Sequence, residues 1–471
     1  MAGSLDLVDF ASLTSAKIAA GCESAMRGCD AAVDAIVAIP DAYRTFANTM
    51  LALEEAADVL GSAQGQLGFM AYVTADDELR ASAREWDEKL DKYGIALSFR
   101  EDLYAAVRAF ALLPEASGLT GEDARLLQFE LRDYRRNGFE LPADERAKVR
   151  ELLDKLVELD VQFRKAIDEW DDGITVRRED LAALPESFIE NLKTVDVDGE
   201  TRFRVSLDYP EIQPFMANAQ SSDLRRQLFE KDQRKGGPGN VRVLEEAIAV
   251  RAEVAQRLGY DSWAAYRTET RMAKRRENVE VFLADLREKV ALKAARDLAE
   301  TRALAAERTG SAEVNIWDWR YWNNELLKSR YAVNEFEVAQ YFPLDACIAG
   351  LFKVTQSMLG VRYEPAPSAP RWHADVQAFD IFETDGSEPF ARFYMDLFPR
   401  PNKYGHAAAF TLRRARMLPD GDYQRPVSAI VANFTKPSAT QPSLLRHSEV
   451  VTFFHEFGHI LHQTLTRARR A

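Results

Sequence analysis

Residues 455–459 read His455-Glu456-Phe457-Gly458-His459. On a helix turning about 100° per residue, His455 and His459 lie about 40° apart on one face, one turn from each other. Two imidazoles with that spacing can hold one zinc ion. Glu456 is turned about 100° to the flank, where a carboxylate reaches a water on the metal rather than the metal. Zinc lowers the pKa of that water towards ~7. Glu456 can then take the proton while the hydroxide attacks a carbonyl that the metal polarises.

The match is not an accident of composition. Only 6 of the 471 residues are His, and even with every Asp counted as Glu roughly 0.01 such matches arise by chance. His462 shares the histidine face but lies about 10.5 Å along the axis from His455, too far for one ion to take both. It reads as a supporting or structural histidine. Leu465 stands where a metzincin would place its third His, which excludes that class.

The elements around the motif follow from pattern. Val450, Phe453, Phe454, Phe457, Ile460 and Leu461 project away from the histidines, so a helix from about 448 to 467 is expected with an aromatic back buried and histidines in front. Gly458 costs ~1 kcal/mol relative to Ala inside a helix, and is expected to admit a second backbone close by. Arg467, Arg469 and Arg470 suit the negative end of the helix dipole. Upstream, 427–434 is a compact β-like run. It reads equally as an internal strand or as an edge to which an extended peptide adds, with Ala432 and Asn433 against the substrate. Short apolar runs between 379 and 398 complete a small sheet.

The rest is mostly helix. After Pro142, Val149, Leu152, Leu153, Leu156, Leu159 and Phe163 recur at helical steps, with Asp144 and Glu145 at the positive end of the dipole. A long charged helix over 277–307 carries Phe282, Leu286 and Val290 on one stripe. Two glycines, a proline and a third glycine within 234–240 must interrupt helix, and Thr309-Gly310-Ser311 ends the long one. Around 195–208, Asp198-Gly199 reads as a turn before the alternating Phe203, Val205 and Leu207. Trp317, Trp319, Tyr321 and Trp322 read as core packing. The fold class is predominantly α within α+β, with a small mixed or antiparallel sheet beside the motif helix. The expected domains are 1–150, helical; 151–345, helical with the 195–208 strands; and 346–471, holding the motif.

Composition limits the partners. Lys and Arg number 61 against 75 Asp and Glu, a net charge of −14 that argues against nucleic acid and anionic membrane. No apolar run approaches the ~18 residues of a membrane span. Asp6 and Asp9 precede any basic residue, so no secretory signal is expected. Three cysteines make no disulfide framework, and Cys22 and Cys29 are two helical turns apart; a reduced, cytoplasmic setting is expected.

Longer stretches carry a family likeness: Phe393-Tyr394-Met395-Asp396-Leu397-Phe398-Pro399-Arg400, Lys403-Tyr404-Gly405-His406-Ala407-Ala408, Val431-Ala432-Asn433-Phe434, and Pro442 to Val450 running into the motif. Leu258-Gly259-Tyr260, Tyr331-Ala332-Val333-Asn334 and Tyr341-Phe342-Pro343-Leu344 also fit. The sequence resembles the thimet oligopeptidase, neurolysin and oligopeptidase A family of zinc metallopeptidases. The resemblance implies two helical lobes around a channel and cytosolic cleavage of short peptides. It also implies one Zn2+ on His455 and His459 with Glu456 as base. His406 would lie near the cleft, a satisfied strand-end histidine being its plainer reading.

In that family the third ligand is a Glu on a later helix. Twelve residues follow His459, and none is Asp, Glu or Cys. Even fully helical they span ~18 Å. The chain is therefore expected to be cut short after the motif helix, to lack the third ligand, and to need a complementary C-terminal polypeptide for activity. Nothing in the spacing recommends His447 or Glu449 as a substitute. The alternative reading is a non-catalytic peptide-binding or scaffold fragment.

Overall fold

The computed structural model describes Leu5, residues 7–437 and residues 441–470, which include every candidate site residue. The chain clusters into two compact units, Glu158–Tyr341 and the combination of Met1–Val157 with Phe342–Ala471.

The unit Glu158–Tyr341 is helical around one small sheet. Strands β1 (Gly173–Val176), β2 (Lys193–Val197) and β3 (Glu200–Ser206) pair antiparallel in the order β1-β3-β2. Asp198 and Gly199 join β2 to β3 with φ of 56° and 81°, the doubly left-handed turn that Asp-Gly favours. Ile174, Val205, Phe215 and Leu228 centre its core. The break near 234–240 is shorter than its composition suggests. Helix Ser222–Asp232 stops, Gly236 and Gly237 take positive φ, and the next helix already starts at Gly237. Pro238 falls in its first turn, where a missing N–H costs nothing. Of the aromatic group only Trp322 is buried, and Trp319 is exposed. Asp318, next to Trp319 in the chain, forms a buried ion pair with Arg225 at 2.6 Å, whose guanidinium stands over the Tyr321 ring. The long helix Arg276–Thr309 ends at Gly310 with φ of 75°. Its stripe is not packed: Phe282 is 63% exposed, and Leu286 and Val290 are exposed too.

The other unit is a layered α+β body. Strands β4 (Val361–Pro365), β5 (Gln377–Glu383), β6 (Ala391–Asp396), β7 (Ala408–Arg413), β8 (Arg416–Met417), β9 (Tyr423–Gln424) and β10 (Val427–Val431) follow in the chain. Five of them form a mixed sheet in the order β4-β5-β6-β10-β7. The pair β6–β10 is parallel, with Val431 opposite Asp396, and the other pairs are antiparallel. Every residue of β6 and β10 is buried, the mark of strands covered on both faces.

Alternation along these strands sorts the two faces. Tyr394, Ala429 and Val431 point into a cluster with Phe10, Ile18, Leu67 and Met70, so residues from the first ninety cover one face. Phe393, Met395 and Ile430 point into a second cluster with Leu351, Phe453, Phe457 and Ile460, so helices Leu344–Leu359 and His447–Thr464 cover the other. The stretches 1–150 and 346–471 therefore share a core. A third cluster holds helices Ser15–Val37, Ala52–Ala63, Glu101–Ala111 and Gly121–Arg136 together. Cys22, Cys29 and Cys347 are free and buried. Among the described residues no helix is long and apolar enough to cross a membrane.

Candidate metal and peptide site

The motif helix, His447–Thr464, starts on a cap in which Glu449 accepts from Arg446. The backbone N–H of Arg446 donates to Glu449 Oε2 at 2.8 Å, and its guanidinium donates to Oε1 at 3.0 Å. Both oxygens of Glu449 are thus held at the helix start, which accounts for its not joining the histidines. His447 stands edge-on to Phe342, ring centroids 6.2 Å apart.

The back of the helix seals against the sheet. Phe453, Phe457 and Ile460 are almost fully buried. Phe457 meets Phe393 edge-on at 5.3 Å, and Phe453 meets Phe434 edge-on at 5.7 Å. The buried stripe is narrower than the apolar pattern: Phe454 remains 40% exposed, because it sits at the margin of the arc. Gly458 does not serve a close backbone approach. A Cβ built there meets nothing within 4 Å.

The front of the helix is open. His455, His459 and His462 are exposed, and Glu456 is half-buried. The rings of His455 and His459 lie 5.0 Å apart, planes at 84°. Their proximity is a property of the helix itself. Among the described residues, no three His, Cys, Asp or Glu side chains group as a metal site. The helix ends at Thr464, so the three arginines lie beyond it and bind elsewhere. Arg467 pairs with Glu383 and Arg470 with Asp123, each at 2.7 Å.

Strand β10 lies between β6 and β7, so 427–434 is an internal run and not a sheet edge. The edges are β4 and β7, and of these β7 contacts the motif helix. Ala407 and Ala409 pack into the helix's apolar cluster. Ala432 is buried with both backbone groups engaged: its N–H donates to Asp396 O at 2.8 Å and its carbonyl accepts from Lys403 Nζ at 2.6 Å. Asn433 Nδ2 donates to the carbonyls of Tyr404 at 2.8 Å and His406 at 3.4 Å. His406 is exposed, edge-on to Tyr404.

Residues 215–471 match peptidase family M3. The chain belongs to that family. As a family M3 chain its class is peptidase, a class of hydrolases. It is 33% identical over 458 residues to a thimet-like oligopeptidase of Dictyostelium discoideum, covering 94% of this chain and 68% of that protein. Saccharolysin of Saccharomyces cerevisiae is 33% identical over 420 residues, with 86% and 59% covered. Oligopeptidase A of Escherichia coli is 29% identical over 479 residues, with 99% and 70% covered. The chain thus spans between 59% and 70% of the length of these relatives.

One charged group of this M3 chain has no counterpart in the sequence reading. Asp396 at the end of β6 is fully buried, clasped by Arg400 at 2.6 Å and Lys403 at 2.8 Å, and accepts from Trp372 Nε1 at 2.7 Å. Burial alone would raise the Asp396 carboxyl, but the two cations outweigh it and hold it below the usual carboxylate range. Burial pushes the Lys403 ammonium down to about 8. The available signal was three charges within eight residues, starting at the last residue of β6.

Proposed function

We propose that this chain carries the zinc-binding motif of a metallo-oligopeptidase that hydrolyses peptide bonds in short peptides. The observation supporting this is the pair of exposed imidazoles, His455 and His459, one turn apart beside Glu456 in a chain of family M3. The donor set fits zinc in kind, two imidazole nitrogens on one rigid face, and supplies two of the ligands. Zinc bound by His455 and His459 would polarise the scissile carbonyl and make a bound water a stronger acid. His455 and His459 hold their rings towards solvent from a helix anchored by Phe453 and Phe457. Glu456, on the flank, accepts a proton from the attacking water and returns it to the leaving amine. An extended peptide lies along the β7 side of the sheet, beside the helix, where strand-like backbone finds a partner. Three buried free thiols suit a reducing cytoplasm.

One observation favours a second reading. With no third donor grouped with the histidines among the described residues, zinc held by two imidazoles is weak and cleavage is slow. The chain would then bind peptides without cutting them, or work with a complementary polypeptide that brings the third ligand.

Both readings are separated by loading the purified chain with zinc and offering a quenched fluorescent peptide. Stoichiometric zinc with cleavage that vanishes in Glu456→Gln supports the peptidase. Cleavage that survives in Glu456→Gln removes Glu456 from its role. Peptide binding with sub-stoichiometric zinc and no cleavage supports the second reading.

A further inference from the structure

We infer that Asn433 and Lys403 are positioning residues that stitch the turn leading into edge strand β7 to the segment seating the motif helix, setting the peptide-binding edge against the histidine face. This rests on the peptidase reading and adds to it the residues that hold the peptide's side of the site.

The stitch is reciprocal between two short segments. From one, Lys403 reaches across to the carbonyl of Ala432 at 2.6 Å. From the other, Asn433 reaches back to the carbonyls of Tyr404 and His406. Each segment is tied to one component of the site. The segment 432–434 continues into Phe434, whose ring stands on Phe453, two residues before His455, and whose N–H donates to Leu397 O at 2.9 Å. The segment 403–406 continues into β7, whose approach places Ala407 and Ala409 in the motif helix's cluster. Tyr404 is further tied by its N–H to Tyr72 O at 2.8 Å. Lys403 also donates to the carbonyls of Asp396 at 2.9 Å and Phe398 at 2.6 Å, so its ammonium gathers three carbonyls and one carboxylate with no access to solvent.

A buried ammonium is an expensive means of cohesion, since an apolar side chain of similar volume holds a core as well or better. What it supplies instead is direction: the carbonyls of Asp396, Phe398 and Ala432 converge on one ammonium only if 403–406, the end of β6 and 432–434 sit in one arrangement. Asn433 is half-buried and lies outside the apolar clusters, so its two donated bonds are the main thing a substitution there removes. The geometry of His455 to His459 is set within one helix and does not depend on the stitch. The position of the β7 edge relative to that helix does.

The test uses the full chain and Asn433→Asp, which keeps the shape and loses both donors. Three quantities are read: hydrogen exchange of amides 404–410, zinc affinity by competition with a chelating dye, and binding of a fluorescein-labelled octapeptide by anisotropy. Exchange over 404–410 is expected to speed up and the peptide Kd to rise, each about tenfold, while zinc affinity stays within about twofold. Should Asn433→Asp fold poorly, Asn433→Ser removes the same donors without adding charge. Unchanged exchange over 404–410 overturns the stitch, and so does a peptide Kd that rises only in step with a loss of zinc affinity. If the unsubstituted chain binds zinc but no octapeptide, the peptidase reading fails instead, and the exchange measurement still decides the stitch.

Discussion

Phe457 stands edge-on to Phe393, ring centroids 5.3 Å apart and planes at 83°, so the residue between Glu456 and Gly458 is also the anchor of the motif helix on the sheet. Chemistry and packing alternate within one turn. Phe457→Ala is therefore expected to destabilise this unit by roughly 3–5 kcal/mol, measured by urea unfolding. Phe454→Ala, on a side chain left 40% exposed, is expected to cost less than about 1 kcal/mol. Equal losses would contradict the assignment of the two faces.

Glu449 serves the start of the helix. Glu449→Ala is expected to cost roughly 1–2 kcal/mol and to speed exchange of the first helical amides, leaving those around Phe457 protected. Zinc affinity is expected to persist. Its loss in a folded Glu449→Gln variant would instead make this carboxylate a ligand.

Glu130, on helix Gly121–Arg136, gives a pH signature. Burial, then the neighbouring Asp133 charge, pushes its carboxyl up to about 7. The folded chain thus holds this proton more tightly than the unfolded chain does. Its contribution is fully present below the ordinary pKa of 4.5 and is lost as pH rises through about 7. Glu130→Gln is expected to flatten the melting temperature between pH 4.5 and 7.5, raising it at the upper end. A profile identical to that of the unsubstituted chain would refute this.

The stripe Phe282, Leu286 and Val290 on helix Arg276–Thr309 leaves large apolar groups in water over consecutive turns. Concentration-dependent self-association is expected from it. Phe282→Lys with Leu286→Glu is expected to suppress the association in light scattering without lowering the melting temperature. Association unaffected by the double substitution would direct attention to Val451 and Phe454 on the motif helix, which are also exposed.

Much of the local structure was legible in the chain. The Asp198-Gly199 turn, the end of the long helix at Gly310 and the start of a helix after Pro142 each depend on conformational preferences of a few adjacent residues. The same holds for His455 and His459, whose approach needs only an intact helical turn. Less legible was whether an apolar pattern would be covered. The stripe at Phe282 and the cluster at Phe453 look alike as periodicity, yet one faces water and the other a sheet.

The amino-acid sequence by itself determined the motif, the helix that carries it, the mixed α and β character and the family, because these rest on identities and short-range spacing. Only the tertiary structure decided that β10 is an inner strand, that residues from the first ninety close one face of the sheet, and that Asp396, Arg400 and Lys403 meet in the dark. Those outcomes depend on which distant segments pair and on what covers each face. A strand apolar on both sides cannot announce its neighbours, and a charge can be read as buried only once its partners have been brought to it.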